Sequence, residues 1–527
     1  MARQAVARQA VARHMAAPAL GLGLGLLALG PGLGRGFLLS YDMVFVPREP
    51  LPAALPGLAP PRAVPSDLVV ALASRVIPAD VTEKLILLSV FVLACSGMAA
   101  LLKDQSLLKD PPLIARLAAG AFYAWNPYVA ERLIIGQWAL LLGYAGLPWV
   151  LKAIRAGDPA RLSLALIPAV IGGFTAMSVT ALLAVPVALL TRSTGSTDST
   201  RRTRMIALTA GLLAVGSLPW LIPSLLHPVY ADPAGIAAFA ARADTPFGTL
   251  GSLVMLGGMW NAQTVPAAYG GPWSALWLVI ALGAVAGYVR LARGRWPGLG
   301  IAALAGLLIA SAGITPAGRG LLRSATAAWP GLAVLRDGQQ FVAPLALAEA
   351  AGFGLAVAMV WKPDLQGRLL RLTALVVPVL LLPGLAWGAA GRLRPVWYPA
   401  GWLAAARVID AAPGPGDVLL LPWAADRRPA WNNGEALLDP WPRLLSRPVI
   451  WNDGTQVGSV RLAPDDPRAQ RLNTLLSEEG QGPLTAALRA AGVRFVLVDA
   501  GPPPGARLPG TTVIIDQPGL VVYEFAR

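Results

Sequence analysis

The sequence has few of the residues on which metal, redox and nucleotide sites depend. Among its 527 residues are one cysteine, Cys95, and two histidines, His14 and His227. A transition-metal site needs several such ligands, and one cysteine cannot form a disulfide framework, so we expect neither feature. The chain also has no GxxxxGK[ST] loop, which disfavours a P-loop ATPase of the usual type.

Charged residues are also scarce. They make up 13% of the chain, against 55% apolar residues and a mean hydropathy of +0.59. In soluble globular proteins about a quarter of the residues are charged. We therefore expect a polytopic α-helical protein of the plasma membrane, in contact with its lipids.

The net charge of +15 is concentrated in the first 391 residues, which have 29 basic and 15 acidic residues. Most of these basic residues fall in six clusters between apolar segments: Arg3/Arg8/Arg13, Lys103/Lys109, Lys152/Arg155/Arg161, Arg192/Arg201/Arg202/Arg204, Arg290/Arg293/Arg295 and Lys362/Arg368/Arg371. This is the pattern of the positive-inside rule, so we place the clusters in the cytosol and expect no nucleic-acid partner.

This placement predicts about eleven membrane segments, with the N-terminus in the cytoplasm and the C-terminus outside. The segments are 15–33, 81–102, 113–125, 133–151, two short helices within 162–191, 205–226, 273–289, 299–313, 342–361 and 370–390. The run 162–191 has basic clusters at both ends, which predicts a hairpin that bends near Gly172 and Gly173 and lines a cavity. Three outer loops follow from this topology, at 35–80, 227–272 and 314–341.

The outer loops and the C-terminal part contain further predicted elements. We expect amphipathic helices at 67–77 and 234–242, and a tight turn at Asn126-Pro127-Tyr128. From residue 392 to residue 527, short β-type runs at 418–422, 449–451, 495–499, 512–515 and 520–525 alternate with helical stretches at 401–411, 467–479 and 484–491. This alternation predicts an extracytoplasmic α/β domain, separate from a transmembrane domain at 1–391.

The first outer loop contains the leading catalytic candidate, Asp42. A partly desolvated carboxylate there could act as a general base or bind a divalent cation near a phosphate, but it could equally cap or hydrate a loop. Glu49 and the arginines Arg48, Arg62 and Arg75 share this loop. Arginine forks suit phosphate oxygens, although arginines that face lipid headgroups are common.

The third outer loop contains polar residues directly before a membrane helix. Arg336, Gln339 and Gln340 could bind a phosphate or a sugar there, while Asp337 could bind substrate or cap the helix. Within the membrane helix itself, Glu349 is an intramembrane carboxylate, and such residues are functional candidates unless they are paired.

The turn between the third and fourth segments contains Asn126, Arg132 and Gln137. These side chains could line the same cavity as the third loop and bind substrate. Arg132 or a backbone group is the alternative partner for Glu349, and Asn126-Pro127 could serve only as a turn.

The layout resembles the GT-C superfamily of polytopic glycosyltransferases, and within it actinobacterial arabinofuranosyl- and mannosyltransferase-like proteins. The matching features are Tyr41-Asp42 in the first outer loop, its amphipathic helix, the Asn126-Pro127-Tyr128 segment, the paired short helices and the trailing α/β domain. The resemblance implies a polyprenyl-phosphate-linked sugar as donor, an envelope glycan or protein as acceptor, and Asp42 as catalytic base. Many members have two acids close together in this loop, whereas Met43 and Val44 follow Asp42 here. The use of Mg²⁺ or Mn²⁺ is therefore left open.

Two other functions fit the same layout. In a lipid or polysaccharide transporter or flippase, Glu349 would be the coupling acid, and polar residues would have to reach both membrane faces. In a non-catalytic envelope scaffold, the GT-C-like fold would be kept without catalysis.

Overall fold

The computed structural model describes residues 2–54, 63–103, 111–191, 198–226, 230–359, 364–477, 481–499 and 508–526. Five residues considered above lie outside these ranges: Arg62, Lys109, Arg192, His227 and Lys362.

The first three quarters of the chain are helical. The helices are α1 (Ala2–Leu29), α2 (Leu51–Ala54), α3 (Ser66–Ala73), α4 (Ala79–Leu101), α5 (Leu113–Ala124), α6 (Pro127–Ile134), α7 (Trp138–Ala156), α8 (Pro159–Leu190), α9 (Asp198–Leu226), α10 (Gly235–Ala238), α11 (Gly248–Val254), α12 (Ser274–Leu291), α13 (Pro297–Ala312), α14 (Pro316–Ala328), α15 (Ala343–Met359), α16 (Leu365–Leu381) and α17 (Ala386–Gly391).

Within the described ranges, seven helices are long and apolar enough to cross a membrane, and two bent helix pairs bring the number to nine. The bent pairs are α13 with α14, at 97°, and α16 with the segment Pro383–Gly391, at 62°. The predicted number of eleven also counts α5, which has only 12 residues, and both halves of α8. The polytopic α-helical fold is thus confirmed.

Helix α8 is the predicted hairpin. Gly173, in its middle, has non-helical backbone angles of φ 73° and ψ −149°. Gly172 lies against the backbone of Ala139, near the start of α7, whereas Leu190, at the end of α8, lies beside Arg155 at the end of α7. The first half of α8 also begins beside the end of α7, because only the turn at Gly157 and Asp158 separates the two helices. Both halves therefore pack along one helix and return to the same level.

Three predicted helices are shorter than the hydrophobic pattern indicated. The amphipathic helix predicted at 67–77 ends at Ala73, as α3. The predicted last membrane segment, 370–390, ends as a right-handed helix at Leu381, and Trp387 to Ala390 form a left-handed turn with φ between 51° and 68°. The amphipathic helix predicted at 234–242 is a single turn, α10. A run of apolar residues does not specify where a helix must bend to let the chain leave the membrane.

The C-terminal part is the predicted α/β fold. Its helices are α18 (Ala400–Ala411), α19 (Trp441–Leu444), α20 (Pro467–Ser477) and α21 (Gln481–Ala490). The strands in the described residues are β1 (Phe37–Leu38), β2 (Pro395–Val396), β3 (Asp417–Leu421), β4 (Asp426–Arg427), β5 (Leu437–Leu438), β6 (Val449–Ile450), β7 (Gln456–Val457), β8 (Val460–Arg461), β9 (Val493–Asp499), β10 (Thr511–Gln517) and β11 (Leu520–Phe525).

Five of these strands form the central sheet, in the order β10-β11-β9-β3-β6. Strands β9, β3 and β6 are parallel, whereas β11 is antiparallel to its neighbours β9 and β10. The parallel strands are rich in valine and leucine and are buried, as expected for strands covered on both faces.

The first loop and the C-terminal part lie on the same side of the helical bundle. Strand β1, directly after α1, pairs with β2, directly after the last membrane helix. One cluster of buried apolar residues runs from the membrane helices into the central sheet. We call this side of the molecule the Asp42 face. The predicted domain boundary between residues 391 and 392 stays a prediction.

Candidate functional site

Asp42 lies in a turn that is held from two directions. The amide of Asp42 donates a hydrogen bond to the carbonyl of Ile135, at 3.0 Å, where α6 meets α7. The backbone of Tyr41 pairs with the C-terminal part, with its N–H 2.7 Å from the Ala436 carbonyl and its own carbonyl 2.8 Å from the Leu438 N–H. The Asp42 side chain is exposed. The fold therefore fixes the backbone of this turn and leaves the carboxylate accessible.

Two polar residues that the sequence did not single out join this turn. The hydroxyl of Tyr41 donates a hydrogen bond to Oε1 of Gln263, at 2.8 Å, and the Arg428 guanidinium donates to the same oxygen, at 2.5 Å. Gln263 belongs to the second loop and Arg428 to the C-terminal part. Neither position has a local sequence signal, because each reaches the turn only through the tertiary fold.

Asn126 has the structural role that the sequence left open. Its side-chain oxygen caps α6 by accepting the Val129 N–H, at 3.1 Å. Its amide nitrogen lies 3.0 Å from the Phe122 and Tyr123 carbonyls and from the Tyr144 hydroxyl. These contacts hold the joint between α5 and α6, and a role of Asn126 in substrate binding stays a prediction.

Helix α6 buries two ionisable residues beneath the Asp42 turn. Arg132 is 1% exposed, and its guanidinium lies over the Tyr128 ring, at 5.3 Å, and contacts the Met259 sulfur, at 2.6 Å. The neighbouring Glu131 is also 1% exposed. The sequence placed Arg132 in a cavity, but it did not single out Glu131.

Asp244 of the second loop lies against Glu131. The Asp244 carboxylate accepts the backbone N–H groups of Gly258 and Met259, the latter at 2.9 Å. Glu131 Oε1 and Asp244 Oδ2 both approach Gly257, and burial together with the nearby Asp244 charge raises the pKa of Glu131. Burial raises the pKa of Asp244, although its two backbone donors oppose the shift. This contact was not predictable, because the two acids are far apart in the chain.

The third loop brings three predicted residues together. The Gln340 amide donates to Oδ2 of Asp337, and the Gln137 amide nitrogen lies 3.5 Å from the same oxygen. Within the described part of the chain, the other oxygens of these side chains accept no hydrogen bond: Gln137 Oε1, Asp337 Oδ1 and Gln340 Oε1. We call Gln137, Asp337 and Gln340 the acceptor cluster. Its three oxygens can accept hydrogen bonds from a ligand rich in hydroxyl groups or from water.

Arg336 and Gln339 point away from the acceptor cluster. The Arg336 guanidinium lies over the Phe239 ring, at 4.9 Å, and 4.0 Å from the Asp465 carboxylate. The Gln339 amide donates to the Phe239 carbonyl, at 2.9 Å. Arg336 thus joins the third loop to the C-terminal part, and a role in substrate binding stays a prediction.

Glu349 is completely buried in α15, and neither of its carboxyl oxygens has a hydrogen-bond partner among the described residues. The alternative pairing with Arg132 is therefore not formed. Its nearest titratable neighbours include Tyr144 and Tyr269, whose hydroxyls donate to backbone carbonyls instead.

The remaining first-loop candidates lie at a second place on the Asp42 face. Arg48, Glu49 and Arg75 line a cavity between the first loop and α18, and the described residues that line it do not include Asp42. Arg48 and Arg75 are exposed, whereas Glu49 is 4% exposed.

The candidate site does not have the ligand set of a divalent cation. Within the ranges that the structure describes, no three histidine, cysteine or acidic side chains come together. Glu131 and Asp244 lie near each other, but Asp244 faces backbone N–H donors, which repel a cation. The described residues therefore offer no site that would bind Mg²⁺ or Mn²⁺ through acidic and histidine side chains alone.

The structure is similar to arabinofuranosyltransferase AftD from mycobacteria, which was solved by single-particle cryo-EM. The TM-score is 0.62 at 17% sequence identity, and the match covers 98% of this chain and 41% of the AftD chain. The chain therefore spans less than half the length of that protein. No model of a known protein family matches the sequence, and no curated protein matches it. The expected GT-C-like membrane fold is confirmed by this similarity.

Proposed function

We propose that the protein is a membrane glycosyltransferase that acts at the Asp42 face. It transfers a sugar from a polyprenyl-phosphate donor to a glycan or protein acceptor of the cell envelope. The observation that carries this proposal is the Asp42 turn, whose backbone is fixed by the joint between α6 and α7 and by the C-terminal part while the carboxylate stays accessible. The fold similar to an arabinofuranosyltransferase supports the same reaction class.

Asp42 is the general base in this proposal. Its carboxylate takes the proton of an acceptor hydroxyl while the hydroxyl oxygen bonds to the anomeric carbon of the donor sugar. The bond between that carbon and the phosphate oxygen breaks, and the polyprenyl phosphate leaves with both bonding electrons. A positioned base contributes about 100- to 10,000-fold to such a step.

The acceptor cluster, which is named for its hydrogen-bond acceptors, binds the sugar of the donor in this proposal. A sugar ring offers several hydroxyl donors, and Gln137 Oε1, Asp337 Oδ1 and Gln340 Oε1 are acceptors without protein partners in the described residues. Buried acceptors that stay unpaired are costly, so a ligand or ordered water must satisfy them. A polyhydroxyl group fits this set better than a phosphate, whose oxygens are also acceptors.

The distribution of buried polar residues disfavours the transporter alternative. In the described membrane part, the buried acids, arginines and amides lie in loops of the Asp42 face or in the helix halves next to it, with the exception of Arg371. A transport path needs polar groups that reach both faces. An activity measurement decides the scaffold alternative, because a scaffold would bind a lipid-linked sugar without turning it over.

The Asp42→Asn variant tests the proposal. We expect it to reduce transfer from a polyprenyl-phosphate sugar by at least about 100-fold, in membrane vesicles that contain the wild-type amount of protein. Asp516→Asn, which changes an exposed acid of β10, is the matched control and should keep full activity. Equal rates for Asp42→Asn and wild type would remove Asp42 from the mechanism. If the wild-type protein bound the donor but did not turn it over, it would be a scaffold.

A further inference from the structure

A cavity lies between the first loop and helix α18 of the C-terminal part. Its volume is about 810 Å³. Three arginines from three different segments surround it: Arg48 of the first loop, Arg75 after α3 and Arg407 of α18. All three side chains are exposed, so their positive charges are available to a ligand in the cavity. We call this space the arginine cavity.

The wall of the arginine cavity is apolar. Leu51 comes from the first loop, Leu403 from α18 and Leu444 from α19, and prolines of the first loop complete the wall. Apolar walls with a few charged groups are typical of sites for amphiphilic ligands, because the walls hold a hydrocarbon part while the charged groups hold a head.

The carboxyls of the cavity cancel only part of its positive charge. Asp410, whose two oxygens accept the Ser446 N–H at 3.1 Å, keeps its negative charge and offsets one of the three arginines. Burial, together with the charge of Asp67, raises the pKa of Glu49 to about 9, although Arg443 opposes the shift. Glu49 is therefore protonated and uncharged near neutral pH, and the three arginines make the cavity attractive to an anion.

The rim of the cavity lies next to a strip of exposed apolar residues. Leu72 in α3 is 50% exposed. Val76 and Ile77, which lie between Arg75 and α4, are 87% and 37% exposed. Since α4 is a membrane-spanning helix that begins at Ala79, these residues lie where the chain enters the lipid. An exposed apolar strip of this kind, beside an arginine, is typical of a segment that dips into the membrane surface. A lipid therefore reaches the cavity more readily than a soluble anion does.

We propose that the arginine cavity binds the phosphate-bearing head of an anionic membrane lipid. The three arginines hold the phosphate oxygens, and the leucine wall holds the first part of the hydrocarbon chain. Guanidinium groups bind phosphate through two parallel hydrogen bonds, which suits this task. The ligand is either a bulk anionic phospholipid or an isoprenoid phosphate, since both offer the same head chemistry. The proposal does not depend on the transfer reaction, because the cavity lining does not include Asp42.

The test is lipid retention by the purified full chain, measured by native mass spectrometry. The protein is equilibrated in detergent with phosphatidylglycerol, with farnesyl phosphate or with phosphatidylcholine at equal mole fractions. We expect retention of an anionic lipid, and a decrease of about tenfold for each of Arg48→Gln, Arg75→Gln and Arg407→Gln. Arg461→Gln, which removes an exposed arginine of β8 outside the cavity, is the matched control.

A second variant tests the cavity without changing its charge. Ala406 lines the cavity, and Ala406→Leu narrows the apolar wall, so it should also lower lipid retention. A melting temperature within a few degrees of the wild-type value would show that each variant is folded.

The outcomes separate the two lipid sources and can overturn the proposal. Retention of both anionic lipids indicates a general phospholipid site, and retention of farnesyl phosphate alone indicates a site for an isoprenoid carrier. The proposal is wrong if phosphatidylcholine is retained equally, if Arg461→Gln loses as much lipid as the cavity variants, or if inorganic phosphate displaces the lipid at equal concentration. Asp42→Asn should retain lipid as the wild type does, so a failure of the glycosyltransferase proposal would leave this result unchanged.

Discussion

Gly136 packs against Met43 so closely that a β-carbon at Gly136 would overlap the Met43 amide nitrogen and the Ser40 carbonyl. Gly136 has a φ of 84°, which residues with side chains rarely adopt. Because Gly136 has no side chain, the α6–α7 joint can approach the Asp42 turn closely enough to hold it.

Replacing Gly136 by alanine should displace the Asp42 turn. We expect a loss of transfer activity of at least about tenfold, because a shift of about 1 Å in a catalytic group is costly, while the membrane helices stay folded. The measurements are the initial rate of sugar transfer and the helical content by circular dichroism.

The matched control is Gly248→Ala. Gly248 has a φ of 73°, but no atom lies within 4 Å of a β-carbon built there. This variant has the same backbone strain without the crowding, so it should remain active. If both variants lose activity equally, the close approach of Gly136 to Met43 is not the reason.

Removing one oxygen of the acceptor cluster should weaken sugar binding. Gln137 is half-buried, so Gln137→Leu should fold, and we expect KM for the donor to rise about tenfold, the value of one lost hydrogen bond. The effect on kcat should be smaller. Gln456→Leu, at an exposed glutamine of β7, should leave KM unchanged. An unchanged KM in Gln137→Leu would show that the cluster holds only water.

The contact between the first loop and the C-terminal part should depend on pH. Arg443 forms an ion pair with Asp67, at 2.9 Å, next to buried Glu49, and burial raises the pKa of Glu49 to about 9 and also raises that of Asp67. Between the ordinary pKa of 4.5 and about 9, the folded protein holds a proton on Glu49 that the unfolded chain has released. Stability therefore decreases as the pH rises through this range and levels off above it.

Glu49→Gln should remove most of this dependence. We expect the wild-type melting temperature in detergent to fall between pH 6 and pH 9 by clearly more than that of the variant. Glu435→Gln, at a half-exposed carboxyl 3.9 Å from Arg392, should behave as the wild type does. Parallel curves for wild type and Glu49→Gln would show that Glu49 is not the group that takes up the proton.

Cysteine labelling can test the predicted orientation, because the only native cysteine, Cys95, is buried. Ser459→Cys introduces an exposed thiol in the C-terminal part, and Gly294→Cys introduces one in a basic turn where no atom lies within 4 Å of a new β-carbon. A membrane-impermeant maleimide added to intact cells should label the first variant and not the second. The reverse pattern would place the Asp42 face in the cytoplasm.

Much of the fold could be predicted from local sequence. The strands at 418–422, 495–499 and 520–525 match β3, β9 and β11 closely, because runs of valine, leucine and phenylalanine between turn residues leave few alternatives. The hairpin of α8 followed from its length, its flanking arginines and its central glycine pair. In the structure Asp158 and Asn126 cap the starts of α8 and α6 by accepting the Arg161 and Val129 N–H groups.

The composition of the site was less predictable than the fold. Asp337, Gln340 and Gln137 were expected in one cavity and do meet, whereas Arg48, Glu49 and Arg75 belong to the arginine cavity. The sequence did not indicate a role for Glu131, Asp244 or Gln263, because each of them lies next to a partner that is more than a hundred residues away in the chain.

The sequence by itself determined that the protein lies in a membrane, where its helices run and that it ends in an α/β fold, because apolar periodicity and charge position act over a few residues. Only the tertiary structure decided which polar groups face each other. A buried carboxyl or amide pairs with a polar group that the fold brings next to it. The sequence does not show which residues come close in space. The turn around Asp42 shows this most clearly, because the joint between α6 and α7, the second loop and the C-terminal part converge on it from three distant regions of the chain.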